Sequence, residues 1–79
     1  MEITDEMRID AIKFFYGKRE GIPPEDITVE IVGQHPSGCN YRLKYYRPEQ
    51  YVDRVVPLLD DKIFIASVYD WMMKERAKK

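Results

Sequence analysis

Two runs of strict alternation, set back to back across a turn, constrain this chain more than anything else in it. Ile27, Val29 and Ile31 alternate with Thr28, Glu30 and Val32. Cys39, Tyr41, Leu43 and Tyr45 alternate with Asn40, Arg42, Lys44 and Tyr46. Period two is the pattern of a strand with one buried face. Between the runs, Gln34-His35-Pro36-Ser37-Gly38 is turn chemistry, because proline fixes φ and glycine permits positive φ. Asp26 to Gly33 and Cys39 to Arg47 are therefore expected to pair as a hairpin.

The flanking segments follow a different period. Met7, Ala11, Ile12, Phe14, Phe15 and Tyr16 cover a broad arc at 100° per residue, with Glu6, Asp10 and Lys13 on the other side. This predicts a helix from about Asp5 to Glu20. Thr4 is its N-cap, Asp5 and Glu6 face the positive end of the dipole, and Gly21 with Pro23-Pro24 stops it. A second helix is expected from about Asp60 to Ala77, with apolar stripes from Ile63, Phe64, Ala66, Val68, Trp71 and Met72. Asp60 or Asp61 can cap it, and Lys74, Arg76, Lys78 and Lys79 suit its C-terminal end.

Pro48 to Leu58 admits two readings. As a helix, Pro48 takes the favoured first position and Tyr51, Val52, Val55, Val56 and Leu59 recur at helical spacing. As a strand, Arg47-Pro48-Glu49-Gln50 is the turn, and Tyr46 faces Tyr51, Tyr45 faces Val52 and Lys44 faces Asp53. The aromatic pair and the ion pair favour the strand. The expected order is then α-β-β-β-α: one α+β domain over residues 1–79, two-layered, with three antiparallel strands packing one face on two helices. The other sheet face has no intramolecular cover.

Composition narrows the function classes. The net charge is −1, and the balance is −3 over residues 1–26 and +1 over each of 27–58 and 59–79. That surplus is too thin for an electrostatic footprint on nucleic acid. One cysteine, Cys39, excludes an internal disulfide. No run approaches the roughly 18 apolar residues of a membrane span. Met1-Glu2-Ile3-Thr4-Asp5-Glu6 lacks the basic start and apolar run of a secretory signal, so the expected setting is the cytoplasm, without a membrane partner.

Little in the chain has the form of a catalytic centre. His35 and Cys39 flank one turn, and an imidazole can take a thiol proton. The pair has no oxyanion donors or water-excluding cleft to accompany it. Zinc would need three or four ligands at suitable spacing. The adjacent carboxylates Glu25/Asp26 and Asp60/Asp61 stand at element starts, where capping or solvation accounts for them. Gly17, Gly21, Gly33 and Gly38 form no phosphate loop. A non-enzyme without cofactor or metal is expected.

The most informative cluster is Tyr41, Arg42, Lys44, Tyr45, Tyr46, Arg47, Tyr51 and Arg54. Within it, Arg42, Lys44, Tyr46, Tyr51 and Arg54 form the candidate binding face. Aromatics interleaved with bases can stack on single-stranded nucleic acid and neutralise phosphates. Glu30, Glu49 and Asp53 on or beside that face cancel much of its charge. The same face, with Tyr46, Tyr51, Val55 and Val32, is apolar enough to bury against a partner protein or a copy of itself, and Tyr and Arg are enriched at interface hot spots. Protein contact through a homodimer or a partner is the leading expectation, and single-stranded nucleic acid the alternative.

Two resemblances bear on this. The α-β-β-β-α order is similar to that of the double-stranded-RNA-binding domain, but where that family has a lysine-rich helix start this chain has Leu59-Asp60-Asp61-Lys62, which repels phosphate. Ile9-Asp10-Ala11-Ile12, the passage from Ile22 to Glu30 and the final apolar-acidic helix resemble small YxcD-like domains of unknown function from Bacillus-type bacteria. That resemblance implies a fold and a bacterial cytoplasmic setting, and no catalytic residue.

Overall fold

The computed structural model describes residues 2–78. Helix α1 (Asp5–Glu20) leads through a single 3-10 turn (Pro24–Asp26) into β1 (Thr28–His35), β2 (Gly38–Arg47) and β3 (Gln50–Leu59), and α2 (Asp61–Ala77) closes the chain. The strands form one antiparallel sheet in the order β1-β2-β3. The α+β class and the element order agree with the sequence. So does the strand over Pro48 to Leu58, in the expected register of Tyr46 on Tyr51, Tyr45 on Val52 and Lys44 on Asp53.

α1 begins where its cap chemistry places it. Thr4 is extended, and its Oγ1 accepts the Met7 N–H at 3.1 Å. Thr4→Ala is expected to lower stability by about 1 kcal/mol, read from the midpoint of a urea titration. At the other end, Gly21 adopts φ 70° and donates its N–H to the Gly17 carbonyl, a left-handed close that suits glycine.

β1 departs from simple alternation. Val29 pairs with Leu43 and Ile31 with Tyr41, but the next pair is Gly33 with Asn40, so Val32 is the extra residue of a bulge. The strand then runs on to His35, leaving only Pro36-Ser37 as the turn.

One layer of the core is the inner face of the sheet, Val29, Cys39, Tyr41, Leu43 and Tyr45, joined by Ile27 just before β1. Ala11, Ile12, Phe14 and Tyr16 of α1 and Ile65, Val68 and Met72 of α2 form the other. Phe14 meets Trp71 edge to face with centroids 4.9 Å apart, locking the two helices. α1 packs on β1 and α2 on β2, which leaves β3 at the margin of the helix layer. Val52, Val56 and Leu58 are accordingly only half-buried. Among the described residues, no helix is long and apolar enough to cross a membrane.

Candidate functional site

The outer face of the sheet is bare, and its side chains fall into three zones along the strands. At one end Tyr46 and Tyr51 stack at a tilt with centroids 4.6 Å apart, and Tyr46 is 77% exposed. In the middle lies a belt of charge. Arg42 donates from Nε and Nη2 to the two carboxylate oxygens of Asp53 at 2.9 and 2.8 Å. Lys44 sits 3.6 Å from Glu30. Beside Arg42 and beyond it toward the far end the surface is aliphatic, with Val55, Val32 and Leu59 all exposed.

The belt is neutral and internally paired. The hydrogen bonds from Arg42 hold the Asp53 carboxyl below the ordinary carboxylate range, and those same bonds hold the guanidinium firmly protonated. The expected Lys44–Asp53 ion pair is corrected on this point. The two residues are in register, but the forked guanidinium one row away takes both carboxylate oxygens, and Lys44 turns to Glu30 on β1. A planar fork matches a carboxylate better than a point charge does.

Of the candidate residues, Arg42, Lys44, Tyr46 and Tyr51 share this face. Arg54 does not. It pairs with Leu43, an inner-face position, and its guanidinium carbon lies 5.6 Å from the centroid of the Tyr16 ring of α1. Strand alternation puts Asp53 and Val55 on one side and Arg54 on the other. Arg47, at the hairpin end, pairs with Glu20 at 3.5 Å.

A second polar cluster lies on the inner side, and the sequence did not reveal it. Asp61, 3% exposed, accepts from Arg8 Nε at 2.8 Å and from the Tyr41 hydroxyl at 2.8 Å. Arg8 also donates to the Ile3 carbonyl and to Asp5. Neither Asp60 nor Asp61 caps α2 with a side-chain bond, contrary to expectation. Asp61 is committed to Arg8 and Tyr41. Asp60 adopts φ 51° and donates its backbone N–H to the Ser37 carbonyl at 2.7 Å. Burial works against the Asp61 carboxylate, but the bonds from Arg8 and Tyr41 outweigh it and leave its pKa lowered. The available signal was Arg8 itself, a lone base three and four residues before Ala11 and Ile12 on the apolar arc.

The Cys39 thiol belongs to this cluster and not to His35. Burial, reinforced by the Asp61 charge, pushes its pKa up, which keeps it a thiol. His35 instead shares a hydrogen bond with Ser37 at 2.9 Å. Beside the cluster, a shallow hollow opens between the β1–β2 turn and the start of α2, lined in part by His35, Ser37, Cys39 and Lys62. Among the described residues, every buried side-chain polar atom has a partner, and no group of three or more His, Cys, Asp or Glu gathers to hold a metal.

No family model, curated protein or solved structure matches this chain.

Proposed function

We propose that this is a non-enzymatic binding domain that acts through protein contacts on its outer sheet surface, in a bacterial cytoplasm as the YxcD-like resemblance implies. The observation that carries the reading is the pairing on that surface. Arg42 is bound to Asp53 and Lys44 to Glu30, while Tyr46, Tyr51, Val55 and Leu59 stand uncovered around them. Binding a phosphate at Arg42 would mean breaking two charge-assisted bonds. Covering the apolar and aromatic side chains costs no such exchange. The inner cluster supports the same reading, because Arg8, Asp61 and Tyr41 are engaged with one another.

Tyr51→Ala tests it. The position is exposed on an edge strand, so stability should change by no more than about 1 kcal/mol. Self-association, followed by sedimentation at several concentrations, should weaken by at least about tenfold if Tyr51 is a contact hot spot. A single-stranded oligonucleotide titrated at low and high salt is the counter-test. Salt-sensitive binding that Arg42→Ala abolishes, with no self-association, would favour the nucleic-acid alternative, where the Tyr46–Tyr51 pair would serve as a stacking platform.

A further inference from the structure

β3 is a ten-residue edge strand with an unbroken register against β2. Arg47 and Gln50 flank a two-residue turn, which makes them a hydrogen-bonded pair, and bonded and non-bonded pairs alternate from there. Tyr51, Asp53, Val55, Pro57 and Leu59 therefore turn their backbone groups outward, away from β2. Pro57 fits this phase, since a residue without an N–H is tolerated where that group would face out. The opposite edge differs: β1 carries the bulge at Val32, a device that hinders strand addition.

Resting on the protein-contact reading, we infer that β3 pairs antiparallel with β3 of a second copy, about a two-fold axis through Val55, joining two three-stranded sheets into one. Opposed residues in such a ladder must share a face, so the axis passes through a residue. An axis at Asp53 or Arg54 sets like charges against each other. An axis at Val56 leaves Tyr51 and Val52 unpaired. With Val55 on the axis, Tyr51 opposes the partner's Leu59, Val52 the partner's Leu58, Asp53 the partner's Pro57 and Arg54 the partner's Val56. No like charges stand directly opposite each other.

This register gives about eight backbone hydrogen bonds, with Pro57 forfeiting one in each copy. The exposed Tyr51, Val55 and Leu59 meet apolar partners across the junction, in rows separated by Asp53 and the partner's Pro57. On the helix side, the half-buried Val52, Val56 and Leu58 gain the cover that α1 and α2 do not reach far enough to supply. An extended segment of a different protein could use the same edge, but it would not be selected for matching Tyr51 with Leu59 or for keeping Arg54 off the axis.

Amide hydrogen exchange and sedimentation on the full chain test the inference. The Asp53 and Val55 N–H groups have no acceptor within one copy. They should be protected at high concentration and exchange at least about tenfold faster on dilution. Val55→Lys sets two ammonium groups against each other on the axis and should weaken self-association at least about tenfold. The position is exposed, so its circular dichroism spectrum at low concentration should match the wild type. A dimer whose Asp53 and Val55 amides exchange freely overturns the edge pairing and leaves the protein-contact reading standing. A monomer at every concentration overturns both in their self-associating form.

Discussion

Gly38→Ala is expected to remove a large share of the domain's stability. Gly38 adopts φ 148°, and a Cβ built there lands on the carbonyl oxygen of Leu58. Neither backbone can retreat cheaply. Gly38 pairs with Leu59 across the ladder, and the adjoining Ser37 carbonyl accepts the Asp60 N–H at 2.7 Å. A loss of about 3–5 kcal/mol follows from strain and overlap together. That is a large share of the whole stability of a domain this size, roughly 4–12 kcal/mol. Gly21→Ala is the control, with φ 70° and no atom within 4 Å of the added carbon. Only the left-handed strain remains there, about 1–2 kcal/mol. Thermal scans should show a modestly lowered transition for Gly21→Ala and a much more strongly lowered one for Gly38→Ala. Equal midpoints would contradict the overlap.

The second large effect concerns Asp61. Asp61→Ala leaves a guanidinium and a phenol without their shared acceptor in the core, and should cost about 3–5 kcal/mol. Replacing all three groups together, Arg8→Met with Asp61→Leu and Tyr41→Phe, should recover most of that loss, because no polar group is then stranded. The same ion pair sets an acid limit. The folded-state pKa of Asp61 is lowered, so the unfolded chain binds its proton more readily. Its contribution is fully present above the unfolded value of about 3.9 and declines as pH falls through and below it. Urea midpoints should therefore drop from about pH 5 downward in the wild type and change less in the triple variant. A triple variant as unstable as Asp61→Ala would assign the loss to packing instead of charge.

How much of this was legible depended on how far apart in the chain the interacting residues lie. Thr4, Gly21 and the hairpin register of Tyr46 on Tyr51 are local, and the sequence pattern carries them. The third strand was the harder decision, because its apolar residues also fit a helical period. The cross-strand aromatic pair resolved it. Val32 illustrates a different difficulty: alternation runs cleanly through Ile31, and the one local sign of the slip, Gly33 just after it, reads equally well as the start of the turn. Lys44 and Asp53 were placed opposite each other correctly, yet the geometry of the Arg42 fork decided which cation Asp53 took. Arg54 was grouped with the outer residues by composition, although parity places it on the inner side. Asp61 read as a cap because capping is a rule about neighbours, whereas its partner Arg8 stands 53 residues away.

That separation has a consequence for how the chain matures on the ribosome. α1 and all three strands emerge before α2 does, and the hairpins can form as they appear. Until Asp61 arrives, Arg8 and Tyr41 have no shared acceptor, and the sheet lacks half of its helical cover. The nascent domain therefore passes through a stage in which the outer face of the sheet and the part of its inner face that α2 covers are open to the surroundings. Emergence of α2 ends that stage, and the Arg8–Asp61 contact fastens α1 to the start of α2.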